Sequence, residues 1–388
     1  MSSAAGDVMV SATTPTWRFD MTTETTQTIT EAKVEAFAGR LIEDVGAAMN
    51  SLLVHIGDRL GLWSALAALG PTTPTSLAEE TSTNPRMVRE WLSAQTASGY
   101  LTYDPDTGTF TLPPEHAFVL ADENSPAAMA GGFQVLAAIG AEIDRAVEAV
   151  RTGKGLGWAD HHPGLFEGVE RFFRPAYRTQ LTTTWIPALD GIADRLAAGG
   201  RVADVGCGHG ASAIVVAEAY PQATVLAFDA HEPSIEIARE RAADAGVGGR
   251  VTFGVAKARE LPGDGFDLVM FCDCLHDMDD PLGAARRAAQ VLAPGGSVML
   301  VEPFANDRLE DNLNPVGRMY YAGSTLICTP CSLADDGPGL GAQAGEARLR
   351  AILQEAGFTT LRRAAETPFN IVYEARLDAQ RAGGETRD

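Results

Sequence analysis

Apolar residues return at helical spacing from Val45 through Met49, Leu52, Leu53, Ile56 and Leu60, and on into Leu62, Trp63 and Leu66. Recurrence every three to four positions predicts helices with a buried stripe. A short helix is predicted over 76–80. Next comes Thr83-Asn84-Pro85, where a capping side chain precedes a proline suited to the first helical turn, so a helix is predicted over 86–98. The pattern then alternates with period two over 99–103 and 109–112, on either side of Asp104-Pro105-Asp106-Thr107-Gly108. That is the pattern of two strands and a turn. Helix, helix, hairpin is the order of a winged helix.

Residues 125–195 read as further helices, broken at Gly153-Lys154-Gly155-Leu156-Gly157 and at His161-His162-Pro163, and are expected to bridge two domains. From Arg201 strands and helices alternate: strand 201–205, helix 211–219, strand 224–228, helix 233–245. Further strands are predicted at 251–253, 267–272, 297–302, 359–363 and 370–374. Such alternation predicts an α/β domain with a seven-stranded, Rossmann-like sheet covered on both faces. The segment 303–345 is too long for a simple connection and is expected to form a functional lid. The organisation expected is a tail at 1–30, poor in large apolar groups, a winged-helix domain at 31–120 and a helical bridge at 121–195. A ligand-binding α/β domain at 196–378 and a mobile tail at 379–388 complete it.

With 388 residues, 45% of them hydrophobic, the chain can bury the cores of two domains. No apolar run approaches the roughly 18 residues of a membrane span, and the first residues lack the basic and apolar blocks of a secretion signal. A cytoplasmic protein without a membrane partner is expected. The net charge is −21, and residues 41–118 carry Arg59, Arg86 and Arg89 against nine acids. That balance disfavours nucleic acid as a partner, and with it a transcriptional regulator reading DNA through the winged helix. Five cysteines, Cys207, Cys272, Cys274, Cys328 and Cys331, are too few and too scattered for a disulfide framework, so reduced thiols are expected. Cys328-Thr329-Pro330-Cys331 has CxxC spacing, but no second pair supplies the other ligands of a structural zinc, and no metal is expected.

The loop Asp204-Val205-Gly206-Cys207-Gly208-His209-Gly210 follows a predicted strand and opens a predicted helix. In that setting backbone amides and a helix N-terminus hold a polar ligand. Gly206 to Ala211 also satisfies a loose GxGxxA pattern, so the loop alone leaves a nicotinamide oxidoreductase open. Asp229 ends the second strand and can accept two hydrogen bonds from a ribose diol. Asp204 stands where dinucleotide folds usually carry an apolar residue, and a carboxylate there suits the ammonium of a methionine.

DVGCGHG, FDA around Asp229, ELPGDGFDLV, LHDMDDP and LAPGGSVMLVEP stand in the order of the motifs of class I S-adenosylmethionine-dependent methyltransferases, which this chain resembles from about residue 200 to 376. The winged-helix segment resembles the dimerisation domain of two-domain small-molecule O-methyltransferases, actinobacterial members especially. The resemblance implies S-adenosylmethionine as cofactor, with Gly206, Cys207 and Gly208 along its methionine portion and Gly210 also among the cofactor-binding residues. It puts Asp229 at the ribose and Ala256 and Lys257 at the adenine, with Ala230 and Cys272 also among the cofactor-binding residues. Lys257 departs from the pattern, because many relatives place an acid there and lysine donates but does not accept. A homodimer and a small-molecule methyl acceptor are also implied. A hydroxyl is the expected acceptor, although N- and C-methylation share the scaffold.

His276 follows the strand 267–272, at the edge where parallel sheets bind ligands, and an ordinary imidazole pKa of about 6.5 suits proton removal. Leu275-His276-Asp277 resembles the His-Asp pair of plant-type O-methyltransferases, which implies His276 as base, with Glu302 orienting it. The alternative, that His276 and Asp277 only shape the loop, stays open. Trp158, His161 and His162 in the bridge, and Asn314, Arg318, Tyr320 and Tyr321 in the insertion, are candidate substrate-pocket residues.

Overall fold

The structure, a computed structural model, describes residues 29–378. Apart from residues 29 and 30, the two expected tails lie outside the described residues. The winged-helix order is present as α1 (Glu31–Arg59), α2 (Leu62–Leu69), α3 (Pro74–Glu80), α4 (Pro85–Ala97), β1 (Thr102–Asp104), β2 (Thr109–Thr111) and α5 (Pro114–Leu120). Asn84 caps α4 as its chemistry suggests, its Oδ1 accepting from the N–H groups of Arg86 and Met87 at 3.0 and 3.2 Å. Trp63, Leu66, Leu77 and Leu92 are buried at the centre of this domain. The Trp63 and Trp91 rings meet edge to face at 4.7 Å. Their N–H groups donate to the carbonyls of Val54 and Leu53, so neither indole is buried with an unmet donor.

The stripe expected to be buried on α1 is not. Val45, Met49, Leu52, Ile56 and the neighbouring Leu60 are exposed, whereas Asn50, Val54 and Gly57 are buried. The inward face of α1 needs small residues, because a Cβ on Gly57 would come within 2.8 Å of the Trp63 indole nitrogen. The large apolar groups therefore point outward.

The bridge comprises α6 (Ala130–Ala141), α7 (Ile143–Thr152), α8 (Pro163–Ala176), which runs on as a π-helical stretch Tyr177–Trp185, and α9 (Ile192–Ala197). Arg171 on α8 ties it to the winged-helix domain, donating to Asp58 on α1 at 2.8 and 2.9 Å and to Gln134 on α6 at 2.7 Å.

All seven expected strands form. In chain order the domain is β3 (Arg201–Val205), α10 (Ala211–Ala219), β4 (Thr224–Asp229), α11 (Glu232–Asp244), β5 (Val251–Val255), β6 (Phe266–Cys272), α12 (Pro281–Val291), β7 (Leu292–Pro303), α13 (Pro315–Gly323), α14 (Thr329–Leu333), α15 (Gly345–Glu355), β8 (Thr360–Glu366) and β9 (Asn370–Arg376). The sheet order is β5-β4-β3-β6-β7-β9-β8, with β9 antiparallel to both of its neighbours. One face buries Val202, Val225, Met270 and Val301 under α10 and α11, and the other buries Ala203, Val269, Phe271 and Leu300 under α12 and α15. The winding reverses between β3 and β6, which opens a crevice at the carboxyl ends of the strands. The insertion after β7 is helical rather than a loose loop. Asn314 caps α13 by accepting from Gly317 N at 2.9 Å, and a π-helical turn Ser324–Cys328 runs into α14. Among the described residues, no single helix is long and apolar enough to cross a membrane.

Candidate active site

Three strand ends converge on one cavity of about 1470 Å³, larger than one small ligand needs. Its floor is the turn after β3. Gly206 N and Cys207 N both donate to Phe228 O, at 2.8 and 3.1 Å, which pins the turn to the end of β4. Gly206 has a left-handed φ of 74°, and a Cβ there would lie 2.8 Å from the Cys274 sulfur, so both backbone and space call for glycine. Asp229 faces this turn, one oxygen accepting from Gly208 N at 2.9 Å and the other from His231 N at 2.8 Å. Each carboxylate oxygen keeps a lone pair for a ligand. Burial raises the Asp229 pKa above the usual carboxylate range, and the N–H groups of His231 and Gly208 oppose the shift.

Asp204 is placed differently from the expectation. It is fully buried beneath the turn, takes a hydrogen bond from Ser212 Oγ at 2.5 Å, and is absent from the cavity wall. Its Oδ2 braces the start of α10, and its Oδ1 is buried without a hydrogen-bond partner. Burial pushes its pKa up to about 7, against the Ser212 hydrogen bond. Gly210 is also off the wall, and its φ of 81° and close approach to Ala238 and Phe253 serve helix packing. Cys207, Gly208, Ala230, Ala256, Lys257 and Cys272 do line the cavity. The Lys257 ammonium is engaged by Asp279 at 3.3 Å and Asp335 at 3.1 Å, so it joins the loop after β5 to the insertion.

His276 is buried at the wall, its Nδ1 2.6 Å from Glu302 Oε2 and its Nε2 3.3 Å from Asp277 Oδ1. Glu302 sits behind the ring and not on the wall. Burial works against a charge on His276, but Asp277 and Glu302 together outweigh it and hold its pKa well above the ordinary value. The carboxylates on both sides thus move the ring away from an ordinary imidazole, toward a stronger base.

The acceptor-side expectations divide. Trp158, Arg318 and Tyr320 line the cavity; Arg318 also pairs with Asp44 at 2.9 Å, and the Tyr320 hydroxyl donates to Phe369 O at 2.8 Å. His161, His162, Asn314 and Tyr321 do not line it. His161 is turned inward between Glu142 at 2.5 Å and Cys331 at 3.4 Å, and His162 and Asn314 are occupied capping α8 and α13.

Several wall residues were not anticipated: Phe133, Phe166, Phe173 and Tyr177 from the bridge, His209 from the turn, and Asp273. Asp273 has a φ of 52° and receives hydrogen bonds from Tyr177 at 3.1 Å and Asn370 at 2.7 Å. Burial pushes its pKa up to about 8. Both ring nitrogens of His209 are buried without a hydrogen-bond partner, and burial takes its pKa down to about 4, leaving a neutral ring at the cavity. Asp273 directly follows β6, and the aromatic positions 166, 173 and 177 recur on one helical face; both were signals in the sequence.

The family described as "Methyltransferase domain" matches residues 202–296, and the "Rv2258c-like winged HTH domain" matches residues 48–122. The 27-O-demethylrifamycin SV methyltransferase of Amycolatopsis mediterranei is 41% identical over 117 residues, 28% of this chain and 43% of that one. The chain spans between about a quarter and less than two thirds of the length of the curated relatives it matches. Among solved structures, an O-methyltransferase family protein from Burkholderia thailandensis superposes with a TM-score of 0.66 at 18% identity, covering 87% of this chain and 97% of that one. Human N-acetylserotonin methyltransferase, in complex with its cofactor, gives 0.63 at 19% identity, covering 88% and 97%. At such identities the likeness is one of fold. In domain content and in fold the chain is that of a two-domain class I methyltransferase, a winged-helix domain set ahead of a methyltransferase domain.

Proposed function

We propose that this protein transfers the methyl group of S-adenosylmethionine to a small, largely apolar acceptor, with a hydroxyl as the receiving group. The observation that carries the reading is the single cavity shared by the glycine turn, the Asp229 carboxylate and His276. The residues present fit the cofactor: a glycine turn that admits close approach, a carboxylate with lone pairs to spare beside it, and an unpartnered neutral imidazole at His209. When bound, the cofactor supplies an already electrophilic methyl.

What remains for the protein is to align a nucleophile, exclude water and take up a proton. Asp229 is suited to the ribose diol, and the turn at 206–208 to the methionine portion. Phe133, Phe166, Phe173 and Trp158 give the opposite wall an apolar surface that displaces water and favours an aromatic or otherwise apolar acceptor. His276, steadied by Glu302, is the group to which the acceptor's proton would pass. Relatives and neighbours named as O-methyltransferases support a hydroxyl acceptor.

The apolar outer face of α1, with Phe37, Ile42, Val45 and Met49 more than half exposed, supports a homodimer formed through the N-terminal domain. The five free thiols fit a cytoplasmic protein. Isothermal calorimetry with S-adenosylhomocysteine tests the cofactor, and tritiated methyl transfer to a panel of phenolic and polyketide-like hydroxyl compounds tests the acceptor. Binding by neither S-adenosylmethionine nor its product would remove the proposal.

A further inference from the structure

Asp273 is the first residue after β6, and its backbone is held in an uncommon way. Its N–H donates to Val301 O on β7 at 2.8 Å, which continues the sheet ladder, yet its φ of 52° is left-handed. Aspartate adopts that conformation more readily than most residues, but at a cost in strain that the surroundings must hold. The side chain stands on the cavity wall, where two donors from remote parts of the chain fix it. Tyr177 Oη, on the π-helical continuation of α8, donates to Oδ2 at 3.1 Å, and Asn370 Nδ2, at the start of β9, donates to Oδ1 at 2.7 Å. Asn370 is buried and off the wall, so it acts from behind. Each carboxyl oxygen takes one hydrogen bond from the protein and keeps a lone pair.

We propose that Asp273 is a specificity-determining residue that binds a second hydroxyl of the acceptor. Resting on the hydroxyl acceptor proposed above, this names the acceptor class: a dihydroxylated aromatic compound, one hydroxyl methylated beside His276 and the other held by Asp273. Three observations support it. Asp273 and His276 are three residues apart and line the same cavity, near enough for His276 and Glu302 to bear on the Asp273 charge. The carboxyl adjoins the aromatic part of the wall, because the Tyr177 ring that donates to it stacks on Phe173, with ring planes 16° apart. An aromatic ring lying along Phe173 and Tyr177 therefore has the carboxyl within reach of a substituent. A carboxyl among aromatic side chains also rejects an analogue that offers it nothing, since binding would strip its water without replacing the hydrogen bond.

The chemistry of the carboxyl selects a hydroxyl as its partner. Burial lifts its pKa to about 8, so the acid and the carboxylate are both within reach near neutral pH. A carboxylate needs a donor, and an acid needs an acceptor for its proton. A hydroxyl serves as either, whereas a ketone oxygen only accepts and an ammonium only donates. Asp273 takes no part in the transfer itself, because the oxygen that is methylated is the one beside His276. Holding the second hydroxyl fixes the rotation of the ring in the cavity, so Asp273 governs which hydroxyl meets the methyl as well as how tightly the acceptor binds.

The test uses the full chain saturated with S-adenosylhomocysteine and measures calorimetric affinity for naphthols and naphthalenediols. These probes share a ring system and differ by one hydroxyl, with the diol hydroxyls either adjacent or separated by one carbon. The wild type should bind one of the diols about 10-fold or more tighter than the matching naphthol. Asp273→Gly removes the carboxyl and suits the left-handed backbone; its diol affinity should fall to within about twofold of the naphthol's, with naphthol affinity unchanged. Asp273→Asn also tolerates that backbone, and the Tyr177 hydroxyl can accept from its NH2 group, so it should fold as the wild type does and show an intermediate preference. A wild type that binds diols and naphthols equally, or binds neither, overturns the proposal. So does a preference retained in Asp273→Gly, or an equal loss of both ligands with a lowered melting temperature, which marks a residue that only pins Tyr177 to the sheet. S-adenosylhomocysteine is titrated alone first: failure to bind removes the function proposed above, whereas binding without a preference for diols removes this inference alone.

Discussion

Replacing Asp229 by Asn separates ligand recognition from loop bracing. The carboxylate now accepts Gly208 N at 2.9 Å on one oxygen and His231 N at 2.8 Å on the other, with lone pairs left for a ribose diol. Asn keeps one carbonyl oxygen and places an NH2 group opposite one of those N–H groups. The bound diol then loses a charged acceptor in a buried site, where such a hydrogen bond contributes about 1.5–3 kcal/mol. At about 1.4 kcal/mol per tenfold, the affinity for S-adenosylhomocysteine should fall roughly 10- to 100-fold. Calorimetry measures this directly, and a thermal melt of the unliganded variant measures the bracing alone. A dissociation constant within about threefold of the wild type would refute the ribose assignment. If the melting temperature fell in that same variant, Asp229 would be a loop brace and nothing more.

Three further outcomes are expected. His276→Ala should lower turnover about 100-fold or more while leaving S-adenosylhomocysteine affinity nearly intact; unchanged turnover would make His276 and Asp277 loop-shaping residues only. Asp204 binds its proton more tightly folded than unfolded, with a folded pKa of about 7 against 3.8, so its contribution is fully present below pH 3.8 and is lost as pH rises through 7. Asp204→Asn does not titrate, so its stability relative to the wild type should climb between pH 4 and 8 by at most about 4 kcal/mol; denaturant unfolding that shows a constant offset across that range would contradict the assignment. Val45→Asp combined with Met49→Asp, both on the exposed face of α1, should convert a dimer into a monomer in sedimentation at micromolar concentration, and a wild type that sediments as a monomer would remove the dimer.

What the sequence made legible follows from where the signals are local. Strands such as Phe266–Cys272 are buried on both faces, so they read as unbroken apolar runs, and the glycine turn carries its geometry in seven consecutive residues. Asp229 is also local, as the last residue of its strand. The misread residues depend on segments far apart in the chain. Tyr177 meets Asp273 across 96 positions, and His161 meets Cys331 across 170; no periodicity marks either pair. Helix α1 was misread for a different reason, since apolar spacing reveals that a stripe exists but not whether this chain or another covers it.

The same distinction divides the site into two halves with different determinants. The cofactor side is built from consecutive turns at the ends of β3, β4 and β5, so a local motif suffices to find it, and Lys257 shows how one changed residue alters it: its ammonium bonds Asp335 in the insertion instead of offering a ligand an acceptor. The acceptor side is assembled from the bridge helix α8, its π-helical continuation and the insertion, none of which carries a motif. Phe166, Phe173 and Tyr177 come from one, and Tyr320 and Cys328 from the other. On the function proposed above, acceptor choice would rest on how these two helical segments pack over His276. Changes in their aromatic residues should alter which hydroxyl is methylated while the turn at 206–208 continues to hold the same cofactor.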